Sequence, residues 1–304
     1  MTMNIQKYPI KASKKMLGRI TPDIPEEYST REAIAAYGVV GIFMIWFLVP
    51  VGWTLFSTFK SQEIILADRF ILIPSLNNLT LDNYITVLST PLFQRLFINS
   101  VFIAICVTGL TLLFGLLGGY SLSRFSYPGR QTILLSLLSS KMIPFVLVLI
   151  PFFMMMWLLN LVDTYIGIIL AHSVSALPLG LWLMKGYIDD IPISFEEAAR
   201  IDGCSRLQVI RHIVVPMSLP GIAVTGFYAF IRSWNDFLFV SILSQSTSTR
   251  TLPYGLYIFR GTQTINWGNT ITAAMITMIP TIVIFAFVQQ RIVEGLASGG
   301  RHGI

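Results

Sequence analysis

Six long stretches of this sequence contain no Asp, Glu, Lys or Arg, and they constrain the fold more than any other feature. A bilayer core about 30 Å thick is crossed by a helix of about 20 apolar residues. Each stretch is at least 20 residues long, so the pattern predicts six transmembrane helices, the fifth being the weakest because Pro216 and Pro220 interrupt it. The six stretches are 33–59, 96–123, 142–162, 164–184, 212–231 and 261–290.

The overall composition excludes two other classes of protein. Charged residues make up 12% of the 304 residues and hydrophobic residues 54%. An average soluble domain carries about 25% charged residues, so this chain has too few to cover a water-soluble enzyme. A disordered chain needs low hydrophobicity and high net charge. We expect the two cysteines, Cys106 and Cys204, to be free thiols, because two cannot form a disulfide framework.

The distribution of positive charge predicts the orientation in the membrane. Cytoplasmic loops carry an excess of Lys and Arg. With the N-terminus inside, 14 of these residues fall in cytoplasmic segments and 5 in outer loops. We therefore expect a multi-pass membrane protein whose two termini both lie in the cytoplasm. We read 33–59 as a retained helix and not as a signal peptide, because more than 30 mostly polar residues precede it.

The only sizeable internal cytoplasmic loop, 185–212, has the local pattern of a helical elbow. Ser194 with Glu197, and Ser205 with Gln208, fit the capping box S-x-x-E/Q at a helix start. Gly203 stands between them, where a helix end commonly adopts positive φ. The pattern predicts a short helix, a sharp corner at Gly203 and a second helix leading to Pro216.

The residues alone leave two interpretations of the elbow open. Ala198 and Ala199 would let another protein approach the backbone closely, and Ile201 and Leu207 could act as knobs, which favours docking. In the second interpretation the alanines are only good helix formers, Gly203 is only a C-cap and Glu197 is only part of a capping box, and the elbow has no docking role. A DNA-binding helix-turn-helix is disfavoured, because both ends of the elbow are tethered within a few residues of the bilayer.

The elbow also carries a family resemblance. Glu197-Ala198-Ala199, then Gly203, then 213–216 (IVVP) resembles the EAA loop of bacterial ABC importer permeases, EAA-x3-G-x9-I-x-L-P, with Val215 where the pattern has Leu. Other segments are similar to the sugar-importing branch, especially the maltose-type second permease subunit: 79–84, 99–100, 120–130 and 290–303. The resemblance covers about residues 37 to 304.

This resemblance implies a division of labour. The chain would pair with a second, related permease, two copies of a cytoplasmic ABC ATPase and an extracytoplasmic sugar-binding protein, and it would work by alternating access. ATP and Mg would be bound by the ATPase; this chain has no G-x-x-x-x-G-K-[ST] motif and no cofactor of its own is expected. The elbow would be the coupling helix, with contacts to the ATPase from Glu196, Glu197, Ala198, Ala199, Ile201, Asp202, Gly203 and Leu207.

Charged residues within the predicted spans are few. Lys141 is expected near the cytoplasmic start of span three, where its side chain could reach the interface. For Arg232 and Asp236, four residues apart, a structural ion pair is favoured over a substrate contact. For His172, a hydrogen bond to a neighbouring helix is favoured over proton transfer. This scarcity argues against ion coupling, which usually needs charged residues inside the membrane.

Four residues are candidates for the translocation pathway, since a neutral, hydroxyl-rich solute is recognised by amides and aromatic faces. The alternative, which we favour, is that the amides form hydrogen bonds between helices and that the aromatic side chain belongs to a belt at the membrane interface. Gly115 and Gly119 form a G-x-x-x-G pair that predicts close helix packing. The four candidates are Asn99, Asn160, Trp234 and Asn235.

The sequence therefore predicts an all-α integral membrane protein with six transmembrane helices and a cytoplasmic coupling-helix loop between spans four and five. We divide it into a cytoplasmic N-terminal segment (1–36), a transmembrane permease domain (37–294) and a cytoplasmic tail (295–304). A secondary transporter would need coupling ions and usually more spans. A membrane enzyme would need a catalytic constellation such as H-E-x-x-H or paired membrane aspartates. Neither pattern is present, so we expect a transport subunit that is not itself an enzyme.

Overall fold

The computed structural model describes residues 30–67, 79–259 and 265–299, and the chain is predominantly α-helical in these ranges. The one isolated β-bridge there joins Lys60 and Leu79. The all-α fold class expected from the sequence is thus what the described residues form. The helices are α1 (Thr30–Ser57), α2 (Gln62–Ile65), α3 (Asp82–Ser89), α4 (Pro91–Arg124), α5 (Arg130–Ser139), α6 (Phe145–Leu158), α7 (Tyr165–Asp189), α8 (Ile193–Ile201), α9 (Arg206–Val209), α10 (Val215–Met217), α11 (Leu219–Trp234), α12 (Leu238–Leu243), α13 (Leu252–Phe259) and α14 (Trp267–Gly299).

Four helices of the described chain are long and apolar enough to cross a bilayer unaided: α1, α4, α7 and α14. Two further candidate spans are bent. The segment Arg130–Met142 meets α6 at 105°, and the segment Arg206–Met217 meets α11 at 81°. Counting each bent pair as one span gives six, the number predicted from the charge-free stretches.

Prolines stand at both bends. Ile143 is extended (φ −71°, ψ 125°) immediately before Pro144, which caps α6. The ring of a proline disfavours the helical conformation for the residue before it, so α5 and its short 3₁₀ extension cannot run straight into α6. Pro220 lies in the first turn of α11, where a missing backbone N–H costs nothing. The weakness that the sequence indicated in the fifth stretch is therefore a real bend.

The chain divides into two compact units, residues 1–52 and 53–304. The described part of the first unit is the beginning of α1, where the apolar side chains from Ile34 to Val49 are exposed. A helix with this composition suits a lipid environment. Most of the predicted N-terminal segment (residues 1–29) and the end of the tail (300–304) lie outside the described residues, whereas the start of that tail continues α14 to Gly299.

Helices α4 and α7 form the centre of the second unit and run parallel to each other. Near one end Tyr165 donates a hydrogen bond to Asn99, 2.7 Å away, and at the other Ser123 bonds to Asp189 at 2.6 Å. Between them a Cβ on Gly119 would lie 2.9 Å from the backbone nitrogen of Lys185. The backbones therefore touch where the G-x-x-x-G pair predicted close packing.

Candidate functional site

The elbow predicted between spans four and five is present. Helix α8 ends at Ile201, Gly203 has φ +88°, and α9 begins at Arg206. The amide of Cys204 bonds to the carbonyl of Ala199 at 3.0 Å and that of Gly203 to Arg200 at 3.1 Å. This pair of bonds is a Schellman motif, which needs a left-handed residue at the position of Gly203.

One of the two predicted capping boxes forms and the other does not. Ser205 and Gln208 make both reciprocal bonds at the start of α9. The box of Ser194 and Glu197 is wrong, because α8 begins two residues earlier than that pattern requires, with Pro192 as the capping residue. Ser194 therefore lies inside the first turn, where its hydroxyl makes no cap.

The elbow exposes apolar side chains on its outer face. Ile201 is 86% exposed and Leu207 72%. Glu197, Ala198, Asp202 and Gly203 are exposed beside them. Two large apolar side chains exposed on one short segment favour an interaction surface. We call these six residues the elbow face.

Two residues of the predicted coupling set lie elsewhere. Ala199 is half-buried and packs against a cluster of buried side chains beneath the elbow, which we call the base cluster. Glu196 is only 5% exposed and points inward. The members of the base cluster are Tyr120, Met184, Ile188, Ile191, Val209 and Val214.

The carboxylate of Glu196 fastens α8 to the ends of two long helices. Arg124, the last residue of α4, places Nε 2.6 Å from Oε1 of Glu196, and the Tyr120 hydroxyl donates to Oε2 at 2.9 Å. Arg124 also donates through Nη2 to the carbonyls of Ile188 and Ile191, where α7 ends. These contacts form a buried clamp. Sequence reasoning missed it, since Arg124 and Glu196 are far apart in the chain and only the fold brings them together.

Two of the four pathway candidates have structural hydrogen bonds. Asn99 is 3% exposed; its amide donates to the carbonyls of Ser248 and Arg250 at 2.9 and 2.8 Å. Trp234 is 1% exposed, and its indole N–H donates to the carbonyl of Thr277 on α14. Both side chains join neighbouring segments of the chain, which agrees with the helix-interface role favoured from the sequence.

The other two candidates are exposed. Asn160 has φ +56° in the turn after α6, a left-handed conformation that Asn tolerates. Asn235 follows the end of α11, and its amide donates to the carbonyl of Ile231 at 3.1 Å. Asn235 is therefore accessible at the break between α11 and α12.

A polar cluster, of which His172, Ser233 and Asp236 are buried, surrounds that break. Arg232 Nη1 lies 3.1 Å from Asp236, which confirms the ion pair, although Asp236 lies past the end of α11. His172 on α7 bonds through Nδ1 to the Ser233 hydroxyl at 2.9 Å, the predicted bond to a neighbouring helix. Asp236 also accepts the amide of Phe239 at 2.9 Å and so begins α12.

Lys141 is not at the start of its span, which corrects the sequence prediction. Helix α5 precedes it from Arg130, so Lys141 lies at the bend between α5 and α6. Its ammonium group donates to the backbone carbonyl of Ser175, in the middle part of α7. The apolar run alone could not reveal this, because a separate helix, α5, occupies the more polar residues before the run and meets α6 at 105°.

The membrane-length helices and the elbow between them define the class of the protein, a polytopic α-helical membrane protein. It belongs to the family of binding-protein-dependent transport system inner membrane components, whose family model matches residues 112–297. That segment contains the elbow, both bends and the clamp. The family resemblance and the expectation of a transport subunit rather than an enzyme are thereby confirmed.

Similar proteins extend the match over most of the chain. The inner membrane ABC transporter permease protein YcjP of Escherichia coli strain K12 is 32% identical over 90% of this chain and 98% of its own length. The trehalose/maltose transport system permease protein MalG of Thermococcus litoralis is 32% identical over 84% of this chain and 92% of its own.

A crystal structure with a similar fold is that of a bacterial ABC transporter involved in the import of the acidic polysaccharide alginate. Its matched chain gives a TM-score of 0.75 at 23% identity, covering 88% of this chain and all of that one. An identity of 23% supports a likeness of fold alone, and this all-α membrane fold is the one predicted from the sequence.

Proposed function

We propose that this chain is one of two permease subunits of an ATP-driven sugar importer and forms half of its translocation pathway. A second, related permease would supply the other half. Two copies of a cytoplasmic ABC ATPase would bind ATP and Mg, and an extracytoplasmic protein would deliver the sugar. Both termini would lie in the cytoplasm, as the distribution of Lys and Arg indicates.

Sugar transport is supported by what similar proteins are named for. The relative from Thermococcus litoralis carries trehalose and maltose, and the structural neighbour imports alginate. These solutes range from neutral disaccharides to an acidic polysaccharide. The relatives therefore support a carbohydrate without selecting one.

The observation that carries the coupling proposal is the elbow face. Ile201 and Leu207 are large and apolar, and the described part of the chain leaves both side chains mostly exposed. The clamp of Arg124 and Glu196 fastens the same segment to α4 and α7. A force applied to the elbow face would therefore reach both long helices. We assign to Glu197, Ala198, Ile201, Asp202, Gly203 and Leu207 the contact with the ATPase, and to Glu196 the attachment of the elbow to this chain.

The experiment is reconstitution of the complete importer in proteoliposomes. We expect sugar uptake to require ATP and all partner chains, and the isolated chain to hydrolyse no ATP. Ile201→Asp should leave the protein in the membrane but reduce both co-purification of the ATPase and uptake. Hydrolysis by the isolated chain, or full uptake by the Ile201→Asp importer, would contradict the proposal.

A further inference from the structure

Two interrupted helices meet within the second unit. The first interruption is the bend between α5 and α6, at residues 140–144. The second is the short non-helical segment between α11 and the next helix, α12, at residues 235–237. Phe145 at the start of α6 packs edge-on against Phe239 of α12, with ring centroids 4.5 Å apart. Interrupted helices at membrane depth leave backbone polar groups that must be buried in protein or line a water-filled cavity.

Each interruption carries a cationic side chain. Lys141 lies at the first and donates to the carbonyl of Ser175. Arg232 lies beside the second, 5.6 Å from the centre of the Phe145 ring, and pairs with Asp236. Because Phe145 is the first residue of α6, this ring contact places Arg232 beside the first interruption as well.

Both cations lie far from the ends of α7. Ser175, which accepts from Lys141, is ten residues after the first residue of α7 and fourteen before its last. At 1.5 Å per residue it is about 15 Å or more from either end. His172, one turn away, contacts Ser233 and Asp236 next to Arg232. The cluster therefore occupies the middle part of a membrane-length helix.

Neither cation is buried within this chain. Lys141 is exposed and the Arg232 side chain is 32% exposed. A charge at the centre of a bilayer is costly and almost always faces a protein interior or a water-filled cavity. The ammonium group has three donors and the guanidinium five, whereas Asp236 neutralises one charge. The cluster therefore has one uncompensated positive charge and several hydrogen-bond donors that can bind a group outside this chain.

We propose that Lys141 and Arg232 form a site in the translocation pathway for the anionic group of a sugar derivative, a carboxylate, sulfonate or phosphate ester. Arg232 presents a planar fork that suits such oxyanions, and Lys141 supplies a point charge. Asn235, exposed at the same interruption, offers an amide to a hydroxyl group. This inference rests on the proposed function and narrows its substrate class.

The test measures the local potential with a cysteine and two charged reagents. Asn235→Cys is placed in a chain whose Cys106 and Cys204 are replaced by Ala, and the complete importer is assembled. Labelling rates are measured with a sulfonate-bearing and a trimethylammonium-bearing methanethiosulfonate. Asn160→Cys, exposed at a helix end away from both cations, gives the reference ratio of the two rates. We expect the sulfonate reagent to be favoured at Asn235→Cys by about fourfold or more over that reference, since one positive charge about 10 Å away in water separates two reagents of opposite charge by about that ratio.

Substitutions that remove a positive charge identify the residue that causes the preference for the sulfonate reagent. Lys141→Gln keeps a donor for the Ser175 carbonyl and should abolish the preference, whereas Lys141→Arg should keep it. Arg130→Gln removes one positive charge from the exposed turn before α5 and should leave the ratio unchanged. Equal ratios at the two cysteines would overturn the proposal, as would a cysteine that neither reagent reaches, which would mean that the partner permease covers this face. If ATP-driven sugar uptake is observed alongside either of these two results, the proposed function is supported and only the anion site is refuted.

Discussion

The guanidinium Nε of Arg124 lies 2.6 Å from the carboxylate of Glu196, and both side chains are largely removed from solvent. Arg124 ends α4, and Glu196 belongs to α8 of the elbow. The same guanidinium also donates to the carbonyls of Ile188 and Ile191 at the end of α7, so it links the elbow to both central helices. The pair is thus a joint that attaches the elbow to α4 and α7.

Loss of one partner of this joint should lower stability and uncouple the transporter. Glu196→Ala leaves the Arg124 charge without its partner in a buried position, which costs about 3–5 kcal/mol. We expect a lower unfolding temperature of the purified importer and ATP hydrolysis without matching uptake. The matched control is Glu63→Ala on α2, whose exposed carboxylate lies outside the elbow and should leave the unfolding temperature unchanged. Equal stability of the two variants would contradict the clamp.

Polar substitution on the elbow face should weaken the ATPase complex without unfolding this chain. Leu207→Asp removes a side chain that is 72% exposed, so it breaks no internal packing. Its loss should reduce the amount of ATPase that co-purifies by at least tenfold, as expected of an apolar contact at the centre of an interface. Leu81→Asp, 60% exposed next to α3, is the control. If both variants retained the ATPase equally, the elbow face would not be its binding surface.

The corner at Gly203 should tolerate only residues that accept a left-handed backbone. Its φ of +88° costs a residue with a Cβ about 1–2 kcal/mol, although the space around it is open. Gly203→Ala should therefore reduce coupling, Gly203→Asn should reduce it less, and Gly203→Trp should abolish uptake while the protein remains in the membrane. The ratio of uptake to ATP hydrolysis measures the effect. Full uptake by the Trp variant is the result that would refute the role of the corner.

Local features of the sequence predicted the parts of this molecule that local physics determines. Charge-free runs marked the spans, and Gly203 with the Ser205 capping box marked the elbow. The Ser194 box failed because Pro192 began the helix earlier than the motif allowed. The position of Lys141 failed because a charge-free run locates the apolar core of a span but not its bends.

The clamp could not be predicted for a different reason. Arg124 followed a predicted span and was explained by topology, while Glu196 preceded the EAA motif and was assigned to the partner's surface. Only the parallel packing of α4 with α7 places one beside the other. A pairing set by tertiary structure leaves no periodic signal in a single sequence.

A pH dependence is expected from the turn between α6 and α7, outside the membrane-length helices. Burial opposes ionisation of Asp163, but hydrogen bonds from the hydroxyls and amides of Thr249, Ser246 and Gln245 outweigh it, and the pKa of this carboxyl is lowered. A lowered folded pKa stabilises the protein above the unfolded value of about 3.9 and loses this contribution as the pH falls through the folded value. Asp163→Asn should therefore unfold at a lower temperature at neutral pH, and the difference from wild type should shrink below about pH 4. A difference that stayed constant down to pH 3 would exclude this origin, and Asp82→Asn serves as the exposed control.

The contact between α4 and α7 should be far less tolerant of added volume at Gly119 than elsewhere on the same helix. A Cβ at Gly119 would lie 2.9 Å from the backbone nitrogen of Lys185 and 3.2 Å from the backbone carbon of Met184, and neither atom belongs to a flexible side chain. Gly119→Ala must therefore separate the two helices, at a cost typical of overpacking, about 1–3 kcal/mol.

Gly109→Ala is the matched control on α4, since nothing lies within 4 Å of its Cβ, and alanine favours the helix at that position by about 1 kcal/mol. Thermal unfolding of the purified importer should show a lower midpoint for the first variant and an equal or higher one for the second. Because the same separation would shift the ends of α4 and α7 that hold the clamp, uptake per ATP hydrolysed should fall in Gly119→Ala alone, and an unchanged ratio would show that the joint does not depend on this contact.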